Sequence, residues 1–76
     1  MDKLPVITGK ELVKRLGTLG FTVIRTKGSH ARLKHADGRV TTVPIHKGAD
    51  IPKGLLRKII REDVKMELEK FISLFK

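Results

Sequence analysis

The chain has no cysteine, tryptophan, tyrosine, asparagine or glutamine. Without cysteine there is no disulfide, no thiolate nucleophile and no cysteine-bound zinc, and a reducing cytoplasmic setting is expected. The three phenylalanines, Phe21, Phe71 and Phe75, all fit apolar stripes that read as core. An aromatic platform for stacking single-stranded bases is therefore not expected. Apolar runs extend only a few residues, and Met1-Asp2-Lys3-Leu4-Pro5 lacks a signal-peptide core, so no membrane partner is expected. No Gly-rich phosphate loop runs into Lys-Ser/Thr, and no paired carboxylates stand in the basic region. The lack of side-chain amides, with charged residues at 33%, leans toward a heat-adapted source.

Positive charge is in excess: +9 net over 76 residues. That length gives one domain, 1–76, with one small core. From Gly20 to Arg61, ten Lys and Arg stand against only Asp37 and Asp50. The last fifteen residues hold three Lys against Glu62, Asp63, Glu67 and Glu69. Charge segregated in this way is the footprint of a nucleic-acid binder, where an evenly spread excess would read as a merely soluble surface.

Thr8-Gly9-Lys10-Glu11 reads as a capping box, with Ile7 and Leu12 at the positions of a hydrophobic staple. Leu12, Val13, Leu16 and Leu19 recur at helical spacing and Gly20 is a stop, which predicts a helix over about 9–19. Phe21 to Thr26 is β-branched and reads as a strand, followed by a Lys27-Gly28 turn. Ser29 to His35 alternates, with His30, Arg32 and Lys34 on one face and Ala31 and Leu33 on the other. Ala36-Asp37-Gly38 is a hairpin signal, and Arg39 to Ile45 reads as a third strand that Pro44 confines to an edge or an end. Asp50 then caps a helix with Pro52 in its first turn, and Leu55, Leu56, Ile59 and Ile60 form its buried stripe. Lys53, Arg57 and Arg61 repeat on another face. A last helix is predicted to begin at Asp63, with Val64, Leu68, Phe71, Ile72 and Phe75 as its apolar side. The order predicts an α+β two-layer sandwich: a three-stranded antiparallel sheet in a double-stranded-RNA-binding-like αβββα arrangement with an extra C-terminal helix.

Chemistry concentrates at Lys27-Gly28-Ser29-His30-Ala31-Arg32-Leu33. Histidine exchanges protons near neutral pH. By strand parity His30 points to solvent beside Arg32 and Lys34, while Lys27, Gly28 and Ser29 offer an ammonium and backbone donors to a phosphate. RNA carries its own nucleophile, the 2′-hydroxyl. A base that takes its proton, with cations around the phosphate, suffices to break the chain without metal and spares DNA. On spacing alone a surface histidine that only touches phosphate or water is the better reading of His30, because Gly-Ser-His is a weak motif by itself. His35, at the other end of the strand, reads as a capping or packing residue. His46 reads as a second acid–base group, a loop-fixing hydrogen bonder or a plain surface residue. The histidine spacings match no common metal-ligand pattern, so no metal and no cofactor are expected.

Across most of its length the sequence resembles the HicA toxin family of bacterial and archaeal toxin–antitoxin systems, also called YcfA-like mRNA interferases. The resemblance runs through Thr8-Gly9-Lys10-Glu11-Leu12, Leu19-Gly20-Phe21 and Lys27-Gly28-Ser29-His30. It continues in His35-Ala36-Asp37-Gly38-Arg39, Val43-Pro44-Ile45-His46 and Lys53-Gly54-Leu55 with Ile59. It implies a metal-independent ribonuclease that cuts messenger RNA, with the histidine of the Gly-Ser-His motif, here His30, as the catalytic one; by the chemistry above it is the general base, or base and acid in turn. It also implies a HicB-type antitoxin that covers the active site. The chain departs from the family pattern at Ala31, at Gly54-Leu55-Leu56 and at Arg61-Glu62-Asp63. By charge and position Lys27, Gly28, Ser29, Arg32, Lys34, Lys53 and Arg57 are the expected RNA and phosphate contacts. The other readings are a non-catalytic RNA-binding module of the same fold and a structural partner for an acidic protein.

Overall fold

Thr8 begins the first helix as its sequence predicts. Its hydroxyl accepts from the Glu11 N–H at 3.2 Å, which satisfies one of the free donors of the first turn. Helix α1 spans Gly9–Thr18 in the computed structural model, which describes residues 4–74. Ile7 and Leu12 are both buried, as a staple requires. The reciprocal half of the capping box does not form, because the Glu11 carboxylate pairs with Arg15 Nε at 3.2 Å one turn on. Leu19 caps the helix, and Gly20, at φ +98, turns the chain into the sheet.

Strands β1 (Phe21–Lys27), β2 (His30–His35) and β3 (Val40–Pro44) form an antiparallel sheet in the order β1-β2-β3. The first turn lies at Gly28-Ser29, one residue later than expected, so Lys27 belongs to β1. A bulge between Val23 and Arg25 displaces the register and leaves Ile24 exposed on the outer edge. Bulges and edge charges of this kind discourage pairing with a second sheet. On β2 the alternation is as predicted: Ala31 and Leu33 are buried, while His30, Arg32 and Lys34 are exposed.

Helix α2 spans Lys53–Lys58 and runs into a π-helical turn at Ile59–Asp63; helix α3 spans Leu68–Ser73. Two expectations are corrected here. Asp50 does not cap α2. Its backbone bridges to Thr8, the Ile51 N–H donates to the Ile7 carbonyl at 2.8 Å, and Pro52 stands at the N-cap position. A residue before proline is driven extended, so the helix starts only after Pro52. Nor does a helix begin at Asp63. That carboxylate accepts from the buried Thr41 hydroxyl at 2.8 Å, and Lys65 breaks the chain with φ +56. The wide turn closes with the Val64 N–H on the Ile59 carbonyl at 2.8 Å. It puts Ile59, Ile60 and Val64 together in the core, which an unbroken 3.6-residue period would not. The helices cover one face of the sheet, with Leu12, Leu16, Leu33, Val43, Leu56 and Phe71 buried between them. Phe75 of the expected last stripe lies outside the described residues.

Arg39 is taken out of the cationic surface by its contacts. Its Nε donates to Asp37 Oδ2 at 2.8 Å, its Nη1 donates to the Val64 carbonyl, and its guanidinium lies 5.2 Å from the Phe21 ring centre. One side chain thus joins the β2–β3 turn, the first strand and the end of the π turn. The Arg39 guanidinium beside Asp37 also holds that carboxyl below its ordinary range. That contribution to stability is complete above the ordinary carboxylate range and is lost as pH falls through the lowered value. Arg39→Ala is expected to lower stability by about 1–3 kcal/mol, the cost of leaving a partly buried carbonyl without its charged donor. Urea denaturation measures it; a change below about 0.5 kcal/mol, the level of an ordinary surface substitution, would show that the clamp does not act.

Candidate active site

The short Gly28-Ser29 turn sets the outer face of the sheet. Gly28 sits at φ +57, where a side chain is strained. The turn places Lys27 opposite His30 and Arg25 opposite Arg32. Opposed residues of antiparallel strands share a face. With Ala31 and Leu33 buried on the other side, the open face carries Arg25, Lys27, His30, Arg32 and Lys34. Across the third strand His30 faces Pro44 and Arg32 faces Thr42. Arg32 Nη1 donates to the Thr42 hydroxyl at 3.2 Å, which holds the guanidinium over the sheet with donors to spare. Among the described residues no carboxylate pairs with these cations. A row of uncompensated cations on a flat sheet attracts a polyanion.

His46 reaches the same end of the sheet by a longer route. Past Pro44 the Ile45 N–H donates to the Ser29 carbonyl at 2.6 Å, so the chain leaving β3 is tied to the β1–β2 turn. The next turn closes with the Ala49 N–H on the His46 carbonyl at 3.1 Å. The Thr8–Asp50 bridge then fixes the far end of the loop. The His30 and His46 ring centres lie 6.1 Å apart, with their planes at 76°. Both side chains are exposed. A pocket of about 290 Å³ beside His46 is lined by Thr8, Lys10, Ile45, His46, Lys47 and Gly48.

The other expected site residues fall into two groups. Gly28 and the half-buried Ser29 form the turn itself, with the Ser29 carbonyl committed to Ile45. Lys53 and Arg57 are exposed on α2, in the layer that covers the opposite face of the sheet, so the fold does not gather them around His30. His35 sits at the far end of β2, its ring centre 5.2 Å from that of Phe21 and its Nδ1 accepting from the Asp37 N–H at 3.1 Å. It packs and ties the turn. Arg25 was not singled out from the sequence, although counting back by twos from Lys27 would have found it. Among the described residues no three His, Asp or Glu converge on a common point, and no helix is long and apolar enough to cross a membrane.

A three-stranded sheet backed by helices, with an open cationic face ending in two histidines, defines a small basic α+β protein of the αβββα kind. No curated protein matches the chain. The family model described as the HicA toxin of bacterial toxin–antitoxin systems matches residues 9–63. The chain belongs to the HicA toxin family, and membership makes it a toxin of a toxin–antitoxin pair with an antitoxin as its counterpart. The matched region contains every residue of the open face and ends at Asp63, the last residue of the π turn.

Proposed function

We propose that this toxin is a metal-independent endoribonuclease that cleaves messenger RNA, with His30 as the general base. The observation that carries the reading is the placement of His30 on the open face, opposite Lys27 and one pair of residues from Arg25 and Arg32. A phosphate drawn to these cations brings the neighbouring 2′-hydroxyl to the imidazole. His30 takes the hydroxyl proton, and the 2′-oxygen attacks phosphorus. Lys27, Arg32 and Arg25 stabilise the charge that builds on the non-bridging oxygens. The P–O5′ bond breaks to leave a 2′,3′-cyclic phosphate and a 5′-hydroxyl. Lys34 holds the strand farther along by charge, while Lys53 and Arg57 act only by long-range steering from the other layer. The same uncompensated face suits an acidic partner, so a HicB-type antitoxin would inhibit by occupying it and excluding RNA.

The test is to incubate the protein with a long mixed-sequence RNA in EDTA and identify the ends. Cyclic-phosphate ends are expected, and a 2′-deoxy substitution at a cut site should abolish cleavage there. Binding without any product would replace this reading with that of a non-catalytic RNA-binding module. Cleavage that persists at the deoxy position would overturn the 2′-hydroxyl mechanism.

A further inference from the structure

The approach of His46 to His30 has no structural necessity behind it. The rings share no hydrogen bond, both are exposed, and the loop that carries His46 is already held by Ile45 on one side and Asp50 on the other. The chain thus spends two long-range tethers on holding a second imidazole beside the first, on the cationic side of the sheet. We infer that His46 is the general acid of the cleavage reaction, donating a proton to the leaving 5′-oxygen while His30 accepts one from the 2′-hydroxyl. This rests on the ribonuclease reading above.

The geometry suits that division of labour. In an in-line displacement at phosphorus the attacking and leaving oxygens occupy opposite apices, so one group cannot reach both at the same time. Two groups flanking the phosphate can, each at a hydrogen-bond distance of about 2.6–3.2 Å from its oxygen. Ring centres 6.1 Å apart, with the planes at 76°, set the two exposed imidazoles side by side, so that a phosphodiester lying across both, rather than between them, meets one ring at each of its apical oxygens. The step balances: the 2′-O–P bond forms and the P–O5′ bond breaks. One proton passes from the 2′-hydroxyl to neutral His30 and another from protonated His46 to the departing oxygen. Pro44 stands opposite His30 on β3, so the direction the chain takes after Pro44 decides where the acid sits. The pocket beside His46, about 290 Å³ with Lys10 and Lys47 in its lining, gives the leaving nucleotide space on the acid's side.

The experiment compares two RNA substrates of one sequence, one ordinary and one with sulfur in place of the bridging 5′-oxygen at the cut site. A thiolate leaves without protonation. His46→Ala is expected to slow cleavage of the ordinary RNA by about 10²–10⁴-fold and to cut the sulfur-bridged RNA within a few-fold of the unaltered protein. His46→Gln, which keeps a hydrogen-bonding side chain but cannot hand over a proton, should behave in the same way. His30→Ala should be slow on both substrates, because the base is still needed. Equal losses on the two substrates for the His46 variants would make His46 a positioning residue and overturn the inference. So would His46 variants that cut ordinary RNA at the full rate. If the unaltered protein cuts neither substrate, the ribonuclease reading itself fails and the acid falls with it.

Discussion

His30→Ala is expected to reduce RNA cleavage by about 10²–10⁴-fold, the usual worth of a positioned acid–base group, while leaving the fold and RNA binding in place. The side chain is exposed and makes no hydrogen bond with its neighbours, so removing it opens no cavity. Surface substitutions of this kind usually change stability by less than about 0.5 kcal/mol. Binding should persist because it rests on Arg25, Lys27, Arg32 and Lys34. With four phosphates neutralised on a single strand, log K should fall against log salt with a slope of about −3. Rate measurements under saturating RNA, beside a binding titration at several salt concentrations, separate the two effects. A variant that cuts at the unaltered rate would remove His30 from the chemistry. One that loses binding in proportion would make it a phosphate contact.

Gly9→Ala is expected to be the most damaging single methyl group in the described part of the chain. Gly9 is buried in the first turn of α1, against the backbone that leads from β3 to His46. A methyl group there would run into the Pro44 carbonyl oxygen and lie 2.8 Å from the Pro44 carbonyl carbon and 2.9 Å from the Ile45 Cα. All three are backbone atoms, so no side chain can swing aside. Overpacking of this kind costs about 1–3 kcal/mol and occasionally more, and the absence of a flexible neighbour puts Gly9 at the upper end. In a domain of this size about 3 kcal/mol corresponds to a melting temperature lower by more than about 12 °C. Activity should fall further than stability, because the strain is relieved by moving the segment that carries His46. Gly17→Ala is the control. It lies in the same helix with nothing within 4 Å of an added methyl, and alanine there should add about 0.5–1 kcal/mol through helix propensity alone. Thermal melts of the two variants should therefore move in opposite directions. A Gly9→Ala protein as stable as the original would show that the Pro44–Ile45 backbone yields easily.

Much of the candidate site was legible because its signals are local. The period of two from Ser29 to His35 is enough to put His30, Arg32 and Lys34 on the solvent face and Ala31 and Leu33 on the core face. Thr8, Ile7 and Leu12 fixed the start of α1 through contacts three to five residues apart. The expectations that failed did so where a local signal met a distant competitor. Asp50 is a good cap by type, but bridging to Thr8 and the extended run into Pro52 keep it away from the helix. Asp63 is equally good by type, but the Thr41 hydroxyl on β3 takes its carboxylate, and the chain widens into a π turn to bury Val64. Arg39 counted as one more surface cation until the fold set Phe21, Asp37 and the Val64 carbonyl around it.

By itself the sequence determined the order of the elements, the polarity of the central strand and the excess of charge on its outer side. These depend on side chains two to four residues apart, which the backbone geometry of a strand or helix places together in any fold. Only the tertiary structure decided that Arg25 joins Arg32 across the sheet, that α2 keeps Lys53 and Arg57 in the other layer, and that His46 comes to stand beside His30. The two histidines are sixteen residues apart in the chain. What joins them is one hydrogen bond from Ile45 to Ser29 and the Thr8–Asp50 bridge, contacts that have no spacing to announce them and form only when the helix and sheet have packed.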